Sequence, residues 1–246
     1  MAWPFDLPAS RRLTAARQVF LRRLLAQLPD HSLHTALDAG CGVGYFSGFL
    51  RELGLEVVAF DGRPDNVAEA RRRFPEIDFR VADVESPGIR DFGRFDLVLC
   101  FGLLYHTENP FLVLRHLHAL TRALLAIETM CIPGRAPALL LRDEGTSVDQ
   151  GLRRVAFHPT EAVVVAMLYR AGFPHVYRSA DRPEHLDFRP LPFRPRKRTV
   201  VIASQIPLSA ASLRRAPDLL WSVDPWLTLG QRLRLAAGQA ARRVRR

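Results

Sequence analysis

Two patterns of apolar and polar residues alternate along most of the chain. Short runs rich in Val, Ile, Leu and Phe are separated by segments in which apolar residues recur every three or four positions. The runs predict strands buried on both faces, and the segments between them predict amphipathic helices. The predicted strands are 33–37, 55–60, 77–81, 95–101, 124–129, 175–178 and 198–204. Strands that alternate with helices indicate an α/β protein with a doubly wound, mostly parallel sheet.

Start and stop signals define the predicted helices. These are 10–28, 45–53, 64–74, a helix after Pro110, and 160–171. Ser10 is predicted to be the N-cap of the first helix, and Pro64 suits the first turn of the third. Gly172, followed by Phe-Pro, is predicted to end the last one.

Residues 131–158 interrupt this alternation. They contain Pro133-Gly134, Pro137 and a polar stretch at 142–150. A connection of this length in a compact domain is commonly functional, so we expect a lid over a site.

The end of the chain carries all of the net charge. The formal charge is +10, and residues 187–246 contain 13 Lys or Arg against 3 Asp or Glu, a surplus of 10. Pro225 can start a helix there, with apolar residues spaced by three or four. This basic segment predicts either a packing helix with a solvated tail or contact with an anion, such as RNA backbone or the surface of an acidic membrane.

Length, hydropathy and cysteine content limit the kinds of protein that this chain can be. The 246 residues suit one α/β domain with some elaboration. No apolar run approaches the ~18 residues of a membrane span, and the first residues lack the order of a signal peptide. Cys41, Cys100 and Cys131 form no metal-type pair, so we expect reduced, buried thiols in a cytoplasmic protein.

A glycine-rich turn carries the most specific signal. Residues 36–44 read A-L-D-A-G-C-G-V-G, between a predicted strand and a predicted helix. Glycine tolerates positive φ and lets backbone approach a ligand. The next predicted strand ends at Asp61, about 20 residues later, where a carboxylate can bind two ribose hydroxyls. A glycine-rich turn without a ligand is the alternative reading.

The wording of this turn, D-x-G-C-G-x-G from Asp38 to Gly44, resembles the first motif of class I S-adenosylmethionine-dependent methyltransferases. The resemblance implies a Rossmann-like methyltransferase fold. It also implies a seven-stranded sheet with an antiparallel closing strand, followed by a helical C-terminal extension. The implied organisation is an N-terminal helix over the cofactor site (1–32), a methyltransferase domain (33–204) and a basic helical extension (205–246). Residues implied to bind S-adenosylmethionine are Asp38, Gly40, Cys41, Gly42, Gly44, Asp61, Gly62, Asp83, Val84, Phe101 and Arg198.

The resemblance implies a separate role for several of these residues. The glycine loop would contact the methionine tail, and Asp61 would bind the ribose. Asp83 would accept a hydrogen bond from the adenine amino group, and Val84 would pack on the ring. As an alternative, Asp83 is a solvated loop acid, because acids are common at strand ends.

A second motif, G-L-L-Y-H-T-E-N-P, occupies residues 102–110 after the fourth predicted strand. Ligands of open α/β sheets bind at such carboxyl ends. Methyl transfer requires alignment and, for a hydroxyl or protonated amine, removal of a proton. His106 is the candidate base, because an unperturbed imidazole titrates near pH ~6.5. The alternative is that His106 only shapes the loop.

A narrower resemblance rests on the order of several short motifs. L-Y-H-x-x-x-P at 104–110, L-A-I-E-T at 125–129, R-R-V-A-F-H-P-T at 153–160, A-G-F at 171–173 and K-R-T-V-V-I-A at 197–203 follow one another. The series resembles the methyltransferase domain of bacterial transferases that form 5-carboxymethoxyuridine in tRNA. It implies that Tyr105 and Arg198 lie near the sulfonium side of the cofactor.

The chain departs from those tRNA enzymes in its N-terminal region. They carry a longer N-terminal segment with a lysine that helps bind carboxylated S-adenosylmethionine, whereas the only lysine here is Lys197. We therefore expect ordinary S-adenosylmethionine and a different acceptor.

Three functions follow from these features. The first is methylation of an oxygen or nitrogen of a small molecule, with Tyr105 and His106 as catalytic residues. The second is modification of a tRNA wobble uridine. The third is a non-catalytic partner that keeps the fold, and the intact glycine loop argues against it.

Overall fold

A central sheet of eight strands organises the computed structural model, which describes residues 3–28, 33–190, 195 and 197–218. Its strands are β1 (Thr35–Ala39), β2 (Glu56–Asp61), β3 (Asp78–Val81), β4 (Phe95–Phe101), β5 (Thr121–Met130), β8 (His175–Ser179), β9 (Arg198–Ser204) and β10 (Leu213–Arg215). A separate hairpin is formed by β6 (Leu139–Asp143) and β7 (Val155–Pro159). All seven predicted strands are present, with small shifts at their ends.

The strand order is β10-β8-β9-β5-β4-β1-β2-β3. Strands β1 to β5 pair in parallel, and β9 lies antiparallel to β5. The order therefore reverses between β1 and β4, and crevices at such switch points bind ligands. The antiparallel closing strand predicted from the sequence is confirmed as β9.

Five α-helices cover the two faces of the sheet in the described residues. They are α1 (Pro8–Ala26), α2 (Tyr45–Glu52), α3 (Pro64–Arg73), α4 (Pro110–Leu120) and α5 (Glu161–Ala171). Helices α1 to α3 pack in one apolar cluster, and α4 and α5 pack in the other. Successive side chains of β4 point to opposite faces of the sheet, so that Leu97 packs in the first cluster and Val98 packs in the second. This two-sided burial explains the continuous apolar run of β4. The predicted burial of the three cysteine side chains is confirmed.

The sheet has one strand more than the seven predicted. Residues 213–215 lie in the segment predicted to be a helical extension, but they form β10 and pair antiparallel with β8. Leu213 is buried, and the Ala216 amide donates to the Val176 carbonyl at 2.8 Å. The strand covers an edge of β8 that would otherwise leave backbone groups unpaired. The predicted helix after Pro225 lies outside the described residues.

The first helix begins earlier than predicted. It starts at Pro8 with Leu7 as N-cap, so the assignment of Ser10 as N-cap was wrong. Proline is favoured at the first helical position, because the N–H groups of the first turn have no acceptor within the helix and the missing N–H of Pro8 therefore costs no hydrogen bond. The start of α5 is confirmed, since Thr160 Oγ1 accepts from the Val163 amide at 3.3 Å. Its end at Gly172, where φ is 117°, is confirmed as well.

Residues 131–158, predicted to form a lid, contain most of the β6–β7 hairpin. The residues between its strands, 144–154, are called the tip loop below. All five residues of β6 are exposed. Within the described part of the chain, no helix is long and apolar enough to cross a membrane.

Candidate functional site

A cavity of about 230 Å³, open to solvent on one side, lies at the carboxyl ends of β1, β2 and β4. Helix α1 and the residues before it form one wall, and the tip loop forms another. All but three of the predicted site residues line this first cavity. Those that do are Gly40, Gly42, Asp61, Gly62, Asp83, Val84, Phe101, Tyr105, His106 and Arg198. Asp38, Cys41 and Gly44 are not among its lining residues.

The glycine loop, residues 40–44, forms part of the cavity wall with backbone atoms of residues that have no side chain. Gly42 has φ of 54°, and a Cβ placed there would lie 2.9 Å from Phe5 Cε1. Gly44, with φ of 89°, is the N-cap of α2, and a Cβ there would lie 3.0 Å from Phe74 and Phe79. The first position therefore serves the cavity, and the second serves the packing of α2.

Asp38 lies behind the glycine loop. Its side chain is 3% exposed and accepts a hydrogen bond from Ser47 Oγ at 2.6 Å. Burial raises its pKa to about 7, and the nearby Asp61 adds to this effect. Burial also raises the pKa of the Cys41 thiol. Both side chains thus connect the loop to the core and do not face the cavity.

Asp61 is placed by the end of β2. Its Oδ2 accepts from the Gly42 amide at 2.9 Å, and its Oδ1 accepts from the Arg63 amide at 2.9 Å and from Asn66 Nδ2 at 3.1 Å. Burial nevertheless raises its pKa. The carboxylate is therefore held in one orientation at the cavity wall, with lone pairs remaining for hydroxyl donors.

Asp83 follows β3 and contacts the tip loop. Its Oδ1 accepts from the Glu85 amide at 2.9 Å, and its Oδ2 pairs with Arg153 at 2.7 Å. Arg153 also lies 3.1 Å from Glu108. Val84, next in the chain, is buried, and His116 Nδ1 lies 2.8 Å from its carbonyl. Asp83 is thus fixed by ionic contacts that the sequence pattern does not reveal.

A buried ion triad lies at the end of β5. Glu128, with 0% side-chain exposure, contacts Arg17 at 2.7 Å and Arg198 at 2.9 Å. Burial acts to raise the pKa of Glu128, but the two guanidinium groups hold it below its usual value. Arg198 Nε also lies 3.8 Å from Asp187 Oδ2, so the two arginines face two carboxylates. Among the described residues, Nε of Arg17 and Nε of Arg198 have no hydrogen-bond acceptor.

His106 and Tyr105 follow β4 in a short 3₁₀ turn. His106 Nδ1 lies 2.8 Å from Glu144 Oε2, and the ring centroids of Tyr105 and His106 are 4.0 Å apart. A second cavity, of about 330 Å³, shares Tyr105, His106, Asp149, Gln150 and Arg198 with the first. Its own lining includes Arg142 and His158. The two cavities therefore meet at the residues predicted to be catalytic.

The residues before α1 lie against the glycine loop. Asp6 accepts from the Tyr45 hydroxyl and pairs with Arg73 at 2.8 Å. Hydrogen bonds from Arg73 and Tyr45 lower the pKa of Asp6 to about 2, against the opposing effect of burial. These contacts hold Phe5 over Gly42, which closes this side of the first cavity.

Sequence reasoning missed four functional side chains of this site: Arg17, Glu128, Glu144 and Arg153. Glu128 had a signal, since an acid ends an otherwise apolar strand. Glu144 lies in the polar stretch 142–150, which carries no motif, and Arg153 begins the motif R-R-V-A-F-H-P-T, in which it was given no individual role. We call Arg17, His106, Glu128, Glu144 and Arg198 the charged rim.

Comparisons with known proteins agree with this geometry. Residues 37–124 match the family described as "Methyltransferase domain". Over 117 residues the chain is 34% identical to the ubiquinone biosynthesis O-methyltransferase of Xanthomonas axonopodis pv. citri (strain 306), a match that covers 46% of this chain and 48% of that protein. The chain thus spans about half the length of the curated relatives it matches.

Solved structures share the fold. The N-terminal domain of EvdMO1 with SAH bound superposes with a TM-score of 0.61 at 23% identity, covering 78% of this chain and 80% of that one. The 1,6-didemethyltoxoflavin-N1-methyltransferase of Burkholderia thailandensis, with 1,6-didemethyltoxoflavin and S-adenosylhomocysteine bound, superposes with a TM-score of 0.53 at 24% identity, covering 78% and 77%. The chain therefore has the Rossmann-like fold of class I S-adenosylmethionine-dependent methyltransferases, and its residues 37–124 match the methyltransferase domain family.

Proposed function

We propose that this protein is a methyltransferase that uses S-adenosylmethionine to methylate an oxygen or nitrogen of a small molecule. One observation carries the proposal: two cavities meet at Tyr105, His106 and Arg198. The first has the glycine loop and two strand-end acids, and the second is a separate space for an acceptor. Methyl transfer needs this arrangement, because the two reactants must meet in line.

The first cavity fits S-adenosylmethionine. Gly40 and Gly42 line this cavity, and their lack of side chains suits a ligand that lies close to the loop backbone. Asp61 suits the ribose hydroxyls, and Asp83 suits the adenine amino group, with Val84 against the ring. The guanidinium groups of Arg17 and Arg198, both of which line the cavity, suit the carboxylate of the methionine tail.

The chemistry divides between cofactor and protein. When bound, S-adenosylmethionine supplies a methyl group on a sulfonium sulfur, which keeps the electron pair of the broken S–C bond. A lone pair of the acceptor oxygen or nitrogen forms the new bond to carbon. His106 takes the proton that the acceptor loses. Phe5 and the tip loop exclude water from the reacting groups.

The relatives support a small acceptor without identifying it. One carries O-methyltransferase in its name, and one of the structures binds 1,6-didemethyltoxoflavin. The second cavity is lined by several polar and charged side chains, which indicates a polar acceptor. A tRNA wobble uridine, with ordinary or carboxylated S-adenosylmethionine, is the alternative proposal. It rests on the motif order and on the basic end of the chain, of which residues 219–246 lie outside the described part.

Label transfer from methyl-tritiated S-adenosylmethionine tests this proposal. The purified full chain is supplied with phenols, carboxylic acids, amines, a small-molecule extract of the matched host, and total tRNA. We expect label in the small-molecule fraction. Label that nuclease digestion releases from RNA would contradict the proposal in favour of tRNA. Binding of S-adenosylhomocysteine, measured in parallel by calorimetry, separates a missing acceptor from a missing cofactor site.

A further inference from the structure

The His106 ring is held from one side by a carboxylate that is distant in sequence. Its Nδ1 lies 2.7 Å from Glu144 Oε1 and 2.8 Å from Oε2, across 38 positions of the chain. The side chains are 12% and 8% exposed, so water competes little for this contact. No hydrogen bond from another described residue engages His106 Nε2.

Glu144 is itself fixed by the tip loop. Its Oε2 accepts from the Gly151 amide at 2.9 Å, and its own amide donates to the Arg154 carbonyl at 2.9 Å. A Cβ at Gly151 would lie 2.5 Å from the His106 carbonyl oxygen. The loop therefore packs directly on the turn that carries His106, and only glycine allows this approach.

The same loop closes the ribose side of the first cavity. Arg63 donates to the Gln150 and Gly151 carbonyls at 3.2 and 3.1 Å, and Asn66 donates to the Val148 carbonyl at 3.0 Å. Arg63 and Asn66 are the residues that also donate to Asp61. The same hydrogen-bond network therefore positions both Asp61, the acid proposed to bind the ribose, and Glu144, the partner of His106.

The charge of Glu144 decides the tautomer of His106. Burial acts to raise the pKa of Glu144, but the hydrogen bond from His106 holds it below its usual value, so the carboxyl is ionised at neutral pH. An ionised carboxylate only accepts hydrogen bonds. In a neutral imidazole, Nδ1 must therefore carry the proton, and Nε2 then carries the free lone pair.

We propose that Glu144 is a positioning residue of the methyl transfer, which keeps His106 in the Nδ1–H tautomer so that Nε2 accepts the proton of the acceptor. The inference rests on the proposed function. It adds a role for the tip loop: the base has its correct tautomer only while the loop lies over the cofactor cavity. A carboxylate that orients a histidine base acts in this way in other enzymes.

Nitrogen-15 NMR of histidine side chains tests the tautomer without cofactor or acceptor. The full chain is labelled at histidine, and the His106 signals are assigned from their loss in His106→Ala. We expect protonated Nδ1 in the wild type, and a shift toward protonated Nε2 in Glu144→Ala. The exposed Glu76→Gln serves as control and should leave the signals unchanged. An unchanged His106 tautomer in Glu144→Ala would overturn the inference.

Kinetics then test the consequence for transfer. Glu144→Ala should lower kcat at least about tenfold, with little change in KM, and by no more than the 10²–10⁴-fold expected for His106→Ala. Glu144→Gln keeps an acceptor for Nδ1 and should restore part of kcat. The double variant should lose no more than His106→Ala, because the two residues act as one unit.

The two proposals fail in different ways. If the wild type neither binds S-adenosylhomocysteine nor transfers a methyl group to any acceptor, the proposed function fails, while the NMR result stands by itself. If the wild type is active and His106→Ala is strongly impaired but Glu144→Ala is not, the positioning role is refuted and the proposed function survives.

Discussion

The glycine loop and the charged rim surround the same cavity, but different forces hold them. The glycine loop depends on positive φ values and on the absence of Cβ atoms, as at Gly42. The charged rim depends on ion pairs and hydrogen bonds between distant segments, such as Arg17 with Glu128 across 111 positions. Substitutions that add volume should therefore damage the first, and substitutions that remove charge should damage the second.

The largest effect is expected in the charged rim, from Glu128→Gln. Removing the carboxylate charge takes away the nearest counterion of Arg17 and Arg198, whose side chains are 11% and 12% exposed. Arg198 keeps only the longer contact of 3.8 Å to Asp187 among its described ion pairs. Breaking a buried pair in this way costs about 3–5 kcal/mol of unfolding free energy. Urea denaturation followed by circular dichroism measures the loss.

The matched control for Glu128→Gln is Glu184→Gln. Glu184 pairs with Arg23 at 3.0 Å, but the side chains are 64% and 62% exposed. Exposed pairs contribute only ~0–1 kcal/mol. Equal losses in the two variants would mean that the triad is no more important than a surface ion pair.

The glycine loop is tested by Gly42→Ala against Gly54→Ala. Both glycines have positive φ, 54° and 87°, but a Cβ at Gly42 meets Phe5 and a Cβ at Gly54 meets nothing within 4 Å. Each variant should lose ~1–2 kcal/mol of stability from the backbone conformation. Only Gly42→Ala should lose affinity for S-adenosylhomocysteine, by about 5- to 150-fold, the equivalent of ~1–3 kcal/mol of overpacking.

Isothermal titration calorimetry in low and high salt measures this affinity. The loss in Gly42→Ala should be the same in both, because it arises from volume and not from charge. An equal loss of affinity in Gly54→Ala would show that global strain, and not contact at the cavity, weakens binding.

The same contrast explains what the sequence could predict. The glycine loop, β2 and Asp61 are consecutive in the chain, and their spacing is set by one strand–helix–strand unit, so local pattern is sufficient. Glu144 meets His106 only after the β6–β7 hairpin folds back, across 38 positions. No local pattern encodes such a pairing.

Short elements were missed for a related reason. Strand β10 has three residues, of which Leu213 alone is buried, and it exists because β8 has an edge to pair. The early start of α1 at Pro8 was missed because a serine cap is the commoner signal. Asp38 was assigned to the cofactor because its motif includes an acid, although its environment is the core.

The last test concerns Asp38, the buried acid of the glycine loop region, and it adds a pH dependence to the contrast. Burial raises its pKa from 3.8 to about 7, so the folded protein keeps a proton that the unfolded chain releases. Stability attributable to Asp38 is then present below pH ~4 and is lost as pH rises toward 7. Asp38→Asn, which is neutral at every pH, should gain about 4 kcal/mol relative to wild type over this interval. The exposed Asp91→Asn should show no such trend.

Urea denaturation between pH ~4 and pH ~7 measures this difference in unfolding free energy. A constant offset between Asp38→Asn and wild type would show that Asp38 is ionised in the folded protein. The glycine loop would then depend on charge as the charged rim does.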